Sequence, residues 1–518
     1  MAFQISPDVN VSEVDLTTVV PAVATTQGAI AGLYRWGPVG QPVLVDSENT
    51  LVSRFGKPTN FNAETWFSGA NFLAYGNQLY VTRGANTTGF SNTVVASNGA
   101  SSSNTLVVTG NTPGISVGDL VYGPNIPSGT IVSNNNVSAN SSTVTIGISK
   151  NITAALAGDS VITASPNTTF SAIANSNSLS ATLASYSINN KTQFDSTTFS
   201  GTAVQFIAKY PGALGNSLKV STCDSANAFS SNIVTTNTVF SVGNNQTVLQ
   251  FASTGAATAG LAQITVGDYF AAGNSTLGTQ YLQVTSAVKN GSNVNVSFAQ
   301  NYQLAANLTT LNVTRYWEFF KNVNGAPGTS QYQSKFGANT AVLDEIHTVV
   351  SDVGGLFTGV PGTVLEVFEA LSRNTDGKTQ DGSANYYRTV INENSVYVYN
   401  IADTSGAASA NSATVVSSTN QTPLTLPFTY GSDGDDEVNT PVGTVLSAYD
   451  QYQSAENITV SLILAGKAES NAGVIAGYIT DNIAEKRKDC VVFISPPKTA
   501  VVNNVGSENS SVVAFRNA

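Results

Sequence analysis

A change of secondary-structure grammar, made and then reversed, constrains this chain more than any single motif. Residues 20–86 and 440–495 alternate short apolar strands with amphipathic helices, and the long stretch between them does not. In the first of these, residues 28–34 read as a strand closed by the turn Trp36-Gly37-Pro38, and Val43-Leu44-Val45 as a second strand. Asn62 stands where a helix cap belongs, ahead of a face made of Trp66, Phe67, Ala70 and Leu73, spaced three and four apart. Gly76 ends that helix, and residues 79–83 follow as a strand. The last stretch repeats the pattern: a helix over 445–453, a strand over 458–464, a helix over 474–485 and a strand over 490–495, stopped by Pro496-Pro497. Such alternation predicts a mostly parallel sheet covered by helices.

The middle has another texture. Residues 87–205 are rich in Asn, Ser, Thr and Gly, with short alternating runs at 105–109 and 143–148, and residues 206–340 are similar. Small antiparallel sheets joined by polar turns read this way. An internal echo links the two parts. Ile115-Ser116-Val117-Gly118-Asp119 matches Ile264-Thr265-Val266-Gly267-Asp268, and an alternating run follows each, at 143–148 and 293–298. The echo reads equally as two related β modules or as shared composition.

The expected fold class is therefore multidomain, α/β plus all-β: a discontinuous α/β domain with inserted β-sandwich or barrel-like domains. Its parts are an N-terminal arm at 1–20, the first α/β part at 21–86, an inserted outer β domain at 87–205 and a second β domain at 206–340. A return segment at 341–435 is shared between β and α/β domains, and 436–518 completes the α/β domain. Insertion at exposed loops is tolerated because the host's ends stay close together.

Composition excludes several roles. Charged residues make up 10% of the chain, against about 25% in ordinary soluble domains. The net charge is −11, and no Lys/Arg run is longer than Lys486-Arg487-Lys488, so no basic face is available for nucleic acid. Cys223 and Cys490 are far apart and read as small hydrophobes, not as a disulfide framework. The opening Met1-Ala2-Phe3-Gln4 lacks a basic, then apolar, signal pattern. No apolar stretch approaches the roughly 20 residues that span a bilayer, so no membrane insertion is expected.

Catalytic constellations are missing from the sequence. His347 is the sole histidine, and its surroundings, Ile346-His347-Thr348-Val349-Val350, read as a strand with the ring half-buried. No Gly-x-Ser-x-Gly elbow accompanies it, and zinc would lack soft ligands. Gly377-Lys378-Thr379 resembles the end of a phosphate loop, but the first glycine of that motif falls on Ser372. The best metal candidate is the acidic cluster Asp433, Asp435, Asp436 with Glu437, whose oxygen density suits calcium but whose spacing is not that of an EF-hand. Negative charge ahead of the following helix explains that cluster through the helix dipole. The expectation is no enzyme, no cofactor and no resident metal.

Ser6-Pro7-Asp8-Val9-Asn10-Val11-Ser12-Glu13-Val14-Asp15 resembles the N-terminal arm of contractile-tail sheath proteins of large tailed bacteriophages, with Asp8 where a glycine is usual. Residues 28–40, Phe55-Gly56-Lys57-Pro58 and residues 72–83 continue the likeness; so do 210–216, 357–366, 381–387 and 489–497. The modules at 87–205 and 216–340 are not matched by motif.

The resemblance implies that the discontinuous α/β domain is the sheath domain and that the protein is a virion structural subunit, made in the host cytoplasm. Stacked hexameric rings would surround the tail tube and contract to drive it through the host envelope during genome ejection. Baseplate and tail terminator proteins would be further partners. Val9, Val11, Val14 and Leu16 would form an inter-subunit arm, a lone strand seeking a sheet edge. Family members continue past the Ser-Pro-Pro strand into a C-terminal domain, so the chain is expected to be a fragment or an unusually short sheath. Two rivals remain at this point. A β-rich adhesin or tail-fibre protein fits the Ser/Thr/Asn-rich modules but not the split α/β ends. An α/β enzyme acting near Ser495 would have only Lys498 and Glu469 to work with.

Overall fold

Buried along its whole length, the strand Gly28–Leu33 is the axis of the first of two units into which the chain divides. That unit comprises the described residues up to Tyr34, Val39–Gly84 and the chain from Asp436 onward; the second comprises Arg35–Pro38 and Ala85–Asp435. The computed structural model describes residues 26–517 except 88–90, 96–98, 111–114, 116, 124, 128–129, 140–141, 157, 159–160, 166–168, 176–186, 200–203, 403–408, 411–417 and 468–471.

In the first unit a five-stranded sheet runs in the order Pro42–Val45, Leu79–Gly84, Gly28–Leu33, Leu462–Leu464, Val491–Phe493. The last four are parallel and the first is antiparallel to its neighbour. A central parallel strand is covered on both faces and so reads as an uninterrupted apolar run, as this one does. Alternate residues feed two cores. Ile30 packs with Tyr34, Leu51, Phe55, Trp66 and Val81 under the helices Glu48–Phe55 and Ala63–Leu73. Ala29 and Ala31 pack with Tyr449, Tyr452, Ile475 and Ile479 under Val442–Tyr449 and Ala472–Ile479. Each large apolar side chain so buried contributes about 1.5–3 kcal/mol.

Two details depart from the sequence reading. Phe67 is 51% exposed, whereas Thr65 and Gly69 turn inward beside Trp66. The reason is a close approach at Gly32, where an added Cβ would lie 2.4 Å from Thr65 Cγ2, so the helix meets the strand through small residues. Asn62 precedes the helix but makes no side-chain cap; its Oδ1 accepts from the Thr59 amide instead. Arg487 is buried, and its guanidinium donates to the carbonyls of Tyr452, Ser454 and Ile458 and to Asp489.

The second unit is built on an eight-stranded antiparallel sheet. Its order is Thr363–Ser372, Glu345–Asp352, Leu218–Cys223, Leu424–Thr429, Thr169–Asn175, Val204–Pro211, Val398–Asn400, with Ser432–Asp433 pairing on Thr169–Asn175. The stretches read separately as 87–205, 206–340 and 341–435 thus all contribute strands to one sheet. One face carries Trp36, Phe206, Leu214, Val220, Ile346, Val350 and Phe428; Trp317, Phe319 and Val349 pack on the other.

Two six-stranded β modules branch from this sheet. One is a closed barrel of Ser230–Phe240, Gln246–Gln250, Asn293–Phe298, Gly278–Asn290, Tyr269–Asn274 and Leu308–Tyr316, filled by Phe240, Leu249, Phe270, Val296 and Phe298. The other is a sheet ordered Ser91–Val94, Val161–Ser165, Leu120–Tyr122, Thr130–Ala139, Thr143–Ile148, Thr105–Thr109. Among the described residues no helix is long and apolar enough to cross a membrane.

Candidate functional site: the acidic turn and the buried polar centres

Of the acids at 433–437, Asp433, Asp436 and Glu437 each accept hydrogen bonds from different protein groups. Asp433 Oδ2 accepts from Arg35 Nε at 2.9 Å and its Oδ1 from the Ala213 amide at 2.8 Å, both within the second unit. Asp436 Oδ1 accepts from the amides of Val438 and Asn439, closing its own turn. Glu437 reaches the start of helix Ala63–Leu73, where Oε1 accepts from the Glu64 amide at 3.1 Å and Oε2 from the Thr65 hydroxyl at 2.7 Å. Burial pushes the Glu437 carboxyl above its ordinary range, while the Thr65 hydroxyl, the Glu64 amide and Lys467 pull it back. The helix whose start receives the Glu437 carboxylate is Ala63–Leu73, not the one that follows the cluster. Among the described residues, no three His, Cys, Asp or Glu side chains gather as ligands for a metal ion.

His347 lies in the strand Glu345–Asp352 and is buried, not half-buried. Nδ1 accepts from the Ala370 amide at 2.9 Å, which leaves the proton on Nε2, where it donates to the Gly325 carbonyl at 3.0 Å. Burial lowers its pKa, so both nitrogens are committed to backbone and the ring stays neutral. The arm residues Val9, Val11, Val14 and Leu16 lie outside the described residues.

Three polar centres escaped the sequence reading. Asp352 ends its strand and takes hydrogen bonds from Ser217 Oγ, from the amides of Leu356, Phe357 and Thr358 and from Thr358 Oγ1. Asp344 accepts from the Ser330 amide and hydroxyl, Ser372 Oγ and Asn374 Nδ2 in a fully buried pocket. Arg315, fully buried, donates to Asp268 at 3.2 Å, to Ser231 Oγ and to the carbonyls of Asn227, Ala228 and Gln421. The only signal available in advance was the Gly-Asp that closes the repeated motif at Asp268. In each centre the hydrogen bonds named run to protein partners and tie loops to the sheet.

The chain's similarities agree with this structural character. Residues 28–83, which hold the three N-terminal strands of the five-stranded sheet and its first two helices, match the family model described as the tail sheath protein Gp18 domain III N-terminal region. A tail sheath protein of Salmonella phage ViI is 23% identical across 99% of this chain and 64% of its own length. Those of Enterobacteria phage T4 and Vibrio phage KVP40 are 39% and 35% identical over 79 residues, which are 15% of this chain and 12% of each relative. The chain spans less than two thirds of the length of the first of these relatives and aligns with a short part of the other two. The chain is thus similar to phage tail sheath proteins, over residues 28–83 to their domain III N-terminal region and, at 23% identity, along nearly all of its length to one of them.

Proposed function

We propose that this chain is a structural subunit of a contractile tail sheath, that it assembles helically around a tail tube, and that contraction of the array drives the tube through the host envelope. The observation that carries this reading is the colinear similarity, over 99% of the chain, to a protein named for that structure. Its action would be mechanical, with free energy stored in the difference between two packings of one sequence and no bond hydrolysed. Heterologous contacts that do not close on themselves generate helical arrays, so a rigid subunit is needed, and the doubly covered parallel sheet supplies rigidity. The buried hydrogen-bonded centres at Asp344, Asp352 and Arg315 serve the same end. In this reading the discontinuous unit is the sheath domain, the two β modules project outward, and the arm at Val9, Val11, Val14 and Leu16 links neighbouring copies. Its partners are further copies in stacked hexameric rings, the tube protein, and baseplate and terminator proteins, all in the virion.

Gold-labelled antibody against the two β modules, applied to intact particles, tests this reading. Regular decoration along the tail, with spacing that shortens on contraction, is expected. Label confined to fibres or to the capsid would overturn it.

A further inference from the structure

We infer that the two β modules, 91–165 and 230–316, are two copies of one six-stranded barrel, built in the same hydrogen-bond register and interchangeable in the full chain. Strand order is the first observation. Taken in chain order, the strands of the first module adjoin one another as do those of the closed barrel. Its open seam falls between Ser91–Val94 and Thr105–Thr109, and the bridge Val95↔Val108 spans it.

Register is the second and stronger observation. Val108 pairs with Val144 as Leu249 pairs with Val294, and Leu106 with Ile146 as Thr247 with Val296. Val132 faces Ile148 as Val284 faces Phe298, and each pair is followed by a register shift, before Asn134 and before Ser286. Leu120 faces Ser165 as Tyr269 faces Tyr316. A slip of one residue would reverse every side chain between core and solvent, so agreement on this many strands does not arise from shared composition.

The turns agree as well. In the echoed motif, Gly118 has φ 97° and donates to the Val132 carbonyl, while Val132 donates back to Asp119. Gly267 has φ 103° and makes the same exchange with Val284 and Asp268. Ser102 donates to the Ile152 carbonyl with φ 63°, and Gly243 donates to Tyr302 with φ 81°. A serine held in left-handed backbone where its counterpart is glycine is what divergence from a common turn leaves behind.

The copies differ where the second meets its host sheet. Arg315 stands at the register position of Ala164, so the buried guanidinium that ties Asp268 to the Asn227, Ala228 and Gln421 carbonyls belongs to the second copy alone.

The test is a graft within the full chain. Residues 104–148 are replaced by 245–298, since Asn104 accepts from the Ile148 amide as Asn245 does from Phe298. The in-register graft should stay soluble and unfold cooperatively, whereas the same graft moved by one residue should aggregate. If the two behave alike, the equivalence is overturned. Hydrogen exchange on the unaltered chain decides independently of any variant. Amides of Gly118 and Val132 should be protected like those of Gly267 and Val284, and rapid exchange at the first pair alone would contradict the inference. Ser102→Gly should raise the melting temperature and Gly243→Ser lower it; the opposite signs would also count against it.

Discussion

Replacing Asp352 by Asn isolates what one carboxylate does for the turn that leaves its strand. Oδ1 receives the Ser217 hydroxyl and the Leu356 amide, and Oδ2 receives two amides and a hydroxyl, from Phe357 and Thr358. An asparagine keeps one acceptor oxygen. If that oxygen takes the Oδ2 place, its NH2 confronts the Leu356 N–H, and the retained bonds lose their charge. Hydrogen bonds to an ionised group are worth about 1.5–3 kcal/mol against 0.5–1.5 for neutral ones, and a buried donor left unpaired costs about 1–3. The sum is a loss of roughly 3–5 kcal/mol, against about 1–2 kcal/mol for Thr358→Val. Trp36 and Trp317 pack on the two faces of the same sheet, so their fluorescence in a urea titration reports its unfolding. The effect has a pH signature. Burial raises this carboxyl, but the Ser217, Thr358 and Phe357 hydrogen bonds outweigh it and hold the group below its ordinary 3.8. A depressed folded pKa contributes stability that is present above 3.8 and fades as pH falls through the folded value, so the gap between the two proteins should narrow as pH falls below 3.8. An unchanged midpoint at neutral pH, or a gap that persists in acid, would refute the reasoning.

Other perturbations have definite outcomes. Arg315→Met strips the counter-charge from buried Asp268 and should cost about 3–5 kcal/mol at neutral pH in urea unfolding. Burial already pushes the Asp268 carboxyl up to about 6 from 3.8, so the folded state holds a proton that the unfolded chain has lost, and this group's contribution falls as pH rises between those values. Without Arg315 that fall should extend to higher pH. His347→Gln should cost about 1–3 kcal/mol, the range for lost buried hydrogen bonds, without affecting assembly. Because burial lowers the His347 pKa below 6.5, the wild type should weaken as pH drops through 6.5 and the variant should not. Glu437→Gln removes the charge that caps the first turn of Ala63–Leu73 and should cost about 1 kcal/mol by thermal melting; no change would mean the helix is held by packing alone.

The sequence revealed these features unevenly, for physical reasons. The strand Gly28–Leu33 was legible because burial on both faces writes itself as an uninterrupted apolar run. The strands read at 458–464 and 490–495 are shorter, Leu462–Leu464 and Val491–Phe493, because the apolar run continues beyond the paired residues; Val491 and Phe493 are largely exposed. Phe67 misled because helical spacing marks two neighbouring faces here, and a Gly32–Thr65 contact between small groups chooses between them. The partners of Asp433 and Glu437 are hundreds of residues away in the chain, at Arg35 and Thr65, so no local window could assign them. The repeat was visible only as a short echo, because a barrel preserves register and alternation while its side chains drift within the apolar class. Of the Arg315 centre the sequence offers only the Gly-Asp at Asp268, since the remaining acceptors are mostly backbone carbonyls.

Cryo-electron microscopy with helical reconstruction of the tail, before and after contraction, tests the central claim most directly. The account predicts that the five-stranded sheet with its flanking helices and the β modules fit one repeating subunit around the tube, and that the fit is kept as a near-rigid body in both states. A tail whose repeating outer layer does not accommodate this fold, or a subunit that refolds between the two states, would contradict it.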